Sequence, residues 1–277
     1  MSPERKPLEY VPERFWEERY SRIDLTRSGH RDLPEAYNRW LYRRKQAVLR
    51  RALARIGFAP RGKRVLEIGA GTGAYVDFWK RLGVEHLTGL DISQAAVGHV
   101  RERHPEFSFL HRDITEPALR SDCGGDFDLA SALDVLYHVI DDARLQAALA
   151  NVADVLRPGG VLAIHDQFLH RPSEDHGYIR WRSLSDWQRL LSSAGFEVVS
   201  RAPIFYGMIQ TNDCASIRAA KRMDGLWSRL SPWIQRAPGL LGATLYALDS
   251  VLGTFVREGP SMELLLARSQ GLKATRT

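Results

Sequence analysis

Arg64-Val-Leu-Glu-Ile-Gly-Ala-Gly-Thr-Gly73 decides how this chain is read. Arg64–Ile68 is a short apolar run of the kind that forms a buried strand. Glycines follow it where a backbone must turn tightly and pass close to a ligand. The sequence then continues into a helix over Ala74–Leu82. Free N–H groups at the start of such a helix face a carboxylate or phosphate.

The same rhythm recurs downstream. Leu87–Leu90 reads as a second strand ending at Asp91, with Ser93 capping a helix that runs to about Arg103. Phe107–His111 is a third strand ending at Arg112–Asp113. Phe127–Leu133 is a fourth, followed by a helix over 142–156 that Arg157-Pro-Gly-Gly160 stops. Val161–His165 is a fifth strand. Ser185 opens a helix ending at Gly195, and Phe196–Ser200 is a sixth strand. Strands alternating with helices predict an α/β fold, a mostly parallel sheet with helices on both faces. The pattern breaks over 203–260, which reads as helical, and Met262–Ala267 reads as a seventh strand. Residues 1–63 read as a helical arm, with Phe15, Trp16, Tyr20 and Ile23, then Tyr37, Trp40, Leu41, Val48 and Leu49, at helical spacing. The organisation expected is an arm (1–63), a core (64–202), a helical lid (203–260), and a last strand with tail (261–277).

Composition narrows the function. Hydrophobic content of 44% and charged content of 26% exclude wholesale disorder. The cysteines, Cys123 and Cys214, are too few for a disulfide framework, a thiolate zinc site or an iron–sulfur cluster. A reducing cytoplasm fits them. No apolar stretch reaches the about 20 residues of a membrane span, and the N-terminus has no signal-peptide core. Residues 1–64 carry 17 Lys+Arg against 8 Asp+Glu, a net +9, and the remainder 22 against 25, a net −3. The basic character therefore sits in the arm.

Ligands of such a sheet bind at the carboxyl ends of its strands. Asp91 stands where an acidic side chain accepts both hydroxyls of a ribose, and Asp113 where it accepts from an adenine amino group. Gly69-x-Gly71-x-x-Ala74 also matches a dinucleotide fingerprint. Against a nicotinamide enzyme stand Glu67, whose charge repels a pyrophosphate, the third glycine at Gly73, and the lack of a second mononucleotide half.

V-L-E-I-G-A-G-T-G, then L-D-I-S, the Asp113 turn and L-R-P-G-G together resemble the class I S-adenosylmethionine-dependent methyltransferases of the small-molecule type, over about 64–202 and 261–268. The resemblance implies a Rossmann-like seven-stranded sheet in the order 3-2-1-4-5-7-6 with the last strand antiparallel. It implies S-adenosyl-L-methionine as cofactor, with Glu67, Gly69, Ala70, Gly71 and Gly73 around its methionine part. Asp91 and Ile92 would then serve the ribose, Asp113 and Ile114 the adenine, and Leu133 the sulfonium end. Trp16 and Tyr20 would close over the cofactor.

For a hydroxyl acceptor a base helps by removing the proton. His138 is the first candidate, with Asp134 or Asp166 to orient it; His165 competes. Consecutive strand residues face opposite sides, so only one of His165 and Asp166 should face the site. Arg171, Arg180 and Arg182 are candidates to hold a substrate anion. Trp227, Trp233, Tyr246 and Phe255 suggest an apolar enclosure, or, with nearby arginines, a peripheral membrane face.

The leading expectation is methylation of a small molecule, anionic or partly apolar, at a hydroxyl oxygen, in natural-product or glycan/lipid metabolism. Nitrogen or carbon methylation is the alternative. A nucleic-acid methyltransferase is favoured by the basic arm but lacks the Asn/Asp-Pro-Pro-aromatic signature, so no nucleic-acid partner is expected. The intact glycine loop and Asp91 speak against a non-catalytic scaffold. No metal is expected to be required, although Asp134 and Asp166 at strand ends leave one conceivable. Oligomeric state stays open.

Overall fold

A computed structural model describes residues 10–213, 217–256 and 259–271, with side chains of 214–224 left out. The ends of the expected arm and tail, and the side chains of Arg218, Lys221 and Arg222, thus lie outside the described residues.

The arm comprises α1 (Pro12–Arg19), α2 (Leu25–Ser28) and α3 (Glu35–Arg55). The alternating core runs β1 (Arg64–Ile68), α4 (Ala74–Leu82), β2 (His86–Asp91), α5 (Gln94–Arg103), β3 (Ser108–His111), α6 (Leu119–Cys123), β4 (Phe127–Leu133), α7 (Asp142–Val155) and β5 (Leu156–Asp166). Then come short β6 (Phe168–Leu169), β7 (Glu174–Asp175) and β8 (Arg180–Ser183), followed by α8 (Leu184–Ser193) and β9 (Phe196–Pro203). The insertion holds α9 (Ile217–Arg236) and α10 (Pro238–Phe255), and β10 (Glu263–Ser269) closes the core.

The main sheet has seven strands in the order β3-β2-β1-β4-β5-β10-β9. β10 is antiparallel to both β5 and β9, while the other pairs are parallel. This is the expected order. Central β4 is buried along its whole length, as a strand covered on both faces must be. One apolar layer unites Leu41, Leu49 and Leu53 of α3 with Trp79 of α4, Val97 of α5 and Leu245 of α10. The other unites Leu145 and Leu149 of α7 with Trp187 and Leu191 of α8.

Three local differences from the sequence reading have plain causes. Arg157–Gly160 does not end in a turn but enters β5, with a register shift against β4 between Phe127 and Leu129. The helix expected from Ser185 starts at Leu184, because the Ser183 hydroxyl caps it by accepting from the Asp186 N–H. The linker after β5 folds into a small sheet, β6-β8-β7.

That small sheet also reassigns the three arginines. Arg182, 1% exposed, donates to Asp142 (2.9 Å) and to the Val139 carbonyl (2.7 Å). Arg180 holds Asp142 (3.2 Å) and the Ile140 carbonyl. Arg171 pairs with Glu174 and donates to the Asn212 carbonyl. Arg180 and Arg182 thus clamp the loop after β4, and Arg171 ties the linker to the segment before α9, each committed to partners within the protein.

No described helix is long and apolar enough to cross a membrane.

Candidate functional site

A cavity of about 710 Å³ opens at the carboxyl ends of β1, β2 and β4. Its floor is the turn after β1. Gly69 and Gly71 hold left-handed φ values of +74° and +50°. A Cβ on Gly69 would lie 2.4 Å from Val135 Cγ2, and one on Gly71 2.8 Å from the Tyr20 hydroxyl. Neither position accepts a side chain, so bare backbone is presented to the cavity.

Asp91 borders the cavity with both oxygens fixed. One accepts from the Gly71 N–H (2.8 Å), the other from the Ser93 N–H (2.9 Å). Each carboxylate oxygen keeps a lone pair for a ligand hydroxyl. Burial pushes Asp91 up to about 6, opposed by those two N–H groups. Ile92, Asp113, Ile114, Ala70 and Leu133 also border the cavity. Asp113 is partly committed, accepting from Arg144 (2.6 Å) and the Thr115 N–H (2.8 Å). Tyr20 borders it from the arm and stacks on Trp16 at 5.6 Å.

Glu67 and Gly73 are not on the cavity wall. Glu67 is wholly buried behind the turn, accepting from Trp79 Nε1 (2.7 Å) and from the Ser131 hydroxyl. Burial raises it to about 8, against those hydrogen bonds. Gly73 faces Val100 and His104 instead. Both brace the turn rather than line the site.

His138 borders the cavity among aromatic rings, with Trp16 at 4.7 Å and Tyr178 stacked at 5.8 Å. Its Nδ1 lies 2.9 Å from the Tyr178 carbonyl, which only accepts. Nδ1 therefore carries the proton and Nε2 the lone pair. Burial lowers the imidazole to about 4 and keeps it neutral. Asp134 does not orient it: the turn is a 3₁₀ stretch over Leu136–His138, and Asp134 itself sits at φ +67°. Asp166 does not orient it either, accepting instead from the Gln167 N–H.

Asp134 meets a partner from the arm. Its carboxylate receives Lys45 Nζ at 2.6 Å, with the two side chains 6% and 8% exposed. Both residues border the cavity. The Tyr75 hydroxyl lies 3.5 Å from Asp134 and 3.2 Å from His165 Nδ1. His165 is fully buried and not on the cavity wall; burial lowers it to about 3. Asp166 is equally buried and off the wall, beside Arg182. The two do face opposite sides of β5, yet neither reaches the cavity.

Lys45 was missed in the sequence. It sits on the buried stripe Leu41, Lys45, Val48, Leu49 and Ala52 of α3, and a lone ammonium on an apolar stripe is the signal that marks it. The insertion contributes Phe205, Ile209, Gln210 and Asn212 to the wall, but not the expected aromatics. Trp227 and Tyr246 pack into the core, while Trp233 and Phe255 face outward. Among the described residues no group of three or more His, Cys, Asp and Glu side chains could hold a metal ion.

Comparison with known proteins agrees with this geometry. A family model described as a methyltransferase domain matches residues 37–201. A Mycolicibacterium smegmatis protein named "Probable S-adenosylmethionine-dependent methyltransferase" is 29% identical over 190 residues, 66% of this chain and 70% of that one. A ubiquinone biosynthesis O-methyltransferase of Aromatoleum aromaticum is 29% identical, over 52% of this chain and 68% of its own. Among solved structures, the N-methyltransferase NodS from Bradyrhizobium japonicum, in complex with S-adenosyl-L-homocysteine, shares the fold with a TM-score of 0.54 at 18% identity. That match covers 92% of this chain and 97% of the other. The sheet order, the glycine turn beneath the cavity and the matched domain together make this chain a member of the class I S-adenosylmethionine-dependent methyltransferases.

Proposed function

We propose that this enzyme methylates a hydroxyl oxygen of a small molecule, in natural-product or glycan/lipid metabolism and in a cytoplasmic setting. One observation carries the proposal: one cavity at the carboxyl edge of the sheet is bordered both by the glycine turn with Asp91 and by a neutral, tautomer-fixed His138. When bound, S-adenosylmethionine supplies a methyl group on a positively charged sulfur, open to in-line displacement.

The chain's own part is alignment and exclusion of water, and alignment alone is worth roughly 7–11 kcal/mol of barrier. The proposed holders are the backbone of Gly69, Ala70 and Gly71, with Asp91 and Ile92 for the ribose, Asp113 and Ile114 for the adenine, and Leu133 beside the reacting end. Trp16 and Tyr20 cover it from the arm. His138 Nε2 is the proposed base for the acceptor hydroxyl, with the Lys45–Asp134 pair positioning groups around it. His165 supports that pair through Tyr75. In this scheme residues 64–202 with the last strand form the core, and the arm with 203–260 forms the cap.

Relatives support oxygen as the acceptor atom. Besides the ubiquinone enzyme, a malonyl-[acyl-carrier protein] O-methyltransferase of Pectobacterium atrosepticum is 28% identical over 68% of this chain. A nucleic-acid acceptor is disfavoured because part of the arm's positive charge is committed internally. Arg44 and Lys45 are buried, and Arg14 and Arg39 pair with Glu18 and Glu35. The test is methyl-labelled cofactor with a panel of hydroxylated and amino acceptors. Label on hydroxyls alone is expected; transfer only to amines overturns the oxygen assignment.

Asp91 gives a second test. Asp91→Ala should weaken S-adenosylhomocysteine binding about tenfold or more, the loss of a hydrogen bond to a charged group. The ionised carboxylate is the form that accepts from hydroxyls. With Asp91 near 6, cofactor affinity should be level above about pH 7 and fall as pH drops through 6. Calorimetry across that range should show the fall in the native enzyme and its absence in Asp91→Ala. Equal affinity of the two proteins at pH 8 would remove Asp91 from the ribose.

A further inference from the structure

We propose that α9 and α10 present a docking face for the surface of an anionic phospholipid bilayer. On α10 the exposed residues Leu240, Thr244, Ala247, Leu248, Val251, Leu252 and Phe255 recur at helical spacing along one face. From Leu240 to Phe255 the stripe is about 22 Å long at the usual helical rise. Phe255 is 81% exposed and Leu240 72%. Helices of water-soluble surfaces carry charge on their outer face, and a continuous apolar stripe marks an interaction site.

α10 has one charged residue, Asp249, and it points the other way. Asp249 is buried, accepting from the N–H groups of Tyr206 and Gly207 at 2.9 Å each. That carboxylate, with Trp40 of α3 against Gly242, fixes which face of α10 turns inward. The outward face is therefore set by the fold and carries no charge.

Along 225–236, the part of the neighbouring helix whose side chains are described, there are cations and no anions. α9 exposes Leu226, Arg229, Trp233 and Arg236, again three or four residues apart, with the Arg236 guanidinium 5.3 Å over the Trp233 ring. Exposed Arg43 of α3 stacks 4.4 Å over Trp40, the residue that seats α10. Between residues 225 and 256 no exposed acidic side chain is present to balance Arg229 and Arg236. This charge decides between occupants. A second copy meeting the stripe across a two-fold axis would bring like cations together, whereas a bilayer with anionic headgroups offers the opposite charge and an apolar layer beneath it. Tryptophan and arginine are the side chains that settle at such a boundary.

The face is also joined to the cavity through the chain. Phe205, Ile209, Gln210 and Asn212 line the cavity just before α9, and Met262 lines it just after α10.

The experiment is flotation of the full chain, without methyl donor or acceptor, on vesicles of phosphatidylcholine alone or with about a third phosphatidylglycerol. Its outcome is independent of which acceptor is methylated. Binding at least tenfold tighter to the anionic vesicles is expected, weakening with added salt. Arg229→Gln and Arg236→Gln should each cost about fivefold. Leu248→Ser/Phe255→Ser should cost tenfold or more while leaving the melting temperature and cofactor affinity unchanged, since both side chains are exposed. Equal partition to both vesicle types, or none, overturns the proposal. So does a stable dimer that Leu248→Ser/Phe255→Ser dissociates, because a second copy then covers the face.

Discussion

Lys45→Met is expected to melt well below the parent enzyme and to turn over at least a hundredfold more slowly. The stability loss follows from burial. Removing the ammonium leaves Asp134, 6% exposed, as a carboxylate without its 2.6 Å partner. Breaking a buried pair on one side costs about 3–5 kcal/mol, much of it the penalty of the stranded charge. For a chain of this size that is a fall of roughly 5–9 °C in melting temperature. The double variant Lys45→Met/Asp134→Asn should recover much of that loss, because no charge is then stranded and asparagine tolerates the left-handed φ of +67° at this position. Turnover should not recover with it. The pair borders the cavity at the end of β4 and ties α3 to the sheet crest, so its polar atoms position the acceptor beside the reacting end. Differential scanning calorimetry and steady-state kinetics on the three proteins separate the two effects. A double variant that is stable and fully active would reduce the pair to a fold element.

The fate of Lys45 shows which part of such a site is legible beforehand. Of the residues expected at the site, Gly69, Ala70, Gly71, Asp91, Ile92, Asp113, Ile114 and Leu133 at strand ends border the cavity, as do Tyr20 and His138. The position of the strand-end residues follows from local rules, since a parallel sheet opens at its carboxyl edge and a glycine with positive φ admits no side chain. Ser93 is legible for the same reason; its hydroxyl accepts from the Ala96 N–H within one turn. Lys45 and Asp134 are 89 residues apart, and nothing in local periodicity pairs them. The linker arginines fail likewise. Arg182 reads as a free anion holder until β8 brings it to Asp142, 40 residues earlier. Glu67 illustrates a subtler limit. Alternation along β1 leaves open which face a single carboxylate takes, and Trp79 of α4 and Ser131 of β4 draw it behind the turn.

His138→Gln is expected to lower turnover by about 10²–10⁴, the usual contribution of general acid–base catalysis. Its side-chain amide can still donate to the Tyr178 carbonyl, so the hydrogen bond survives while the basic lone pair is lost. Cofactor affinity should therefore stay within about threefold, a split between turnover and binding that a packing role alone would not produce. The pH profile supplies an independent sign. An ordinary imidazole would be lost as a base below about 6.5. Burial holds His138 near 4, so with saturating cofactor the acceptor kcat/KM should lose nothing to this group until pH approaches 4. Stability runs the other way. The unfolded chain binds this proton near 6.5 and the folded chain only near 4, so the group's contribution to folding is present above 6.5 and is lost as pH falls from 6.5 to 4. Acid melts should show His138→Gln losing less stability across that window than the native chain. Undiminished turnover in His138→Gln would leave proximity as the whole of the catalysis. A profile that instead breaks near 6.5 would mean that the imidazole is hydrated during turnover, and that the aromatic shell of Trp16 and Tyr178 opens before the acceptor reacts.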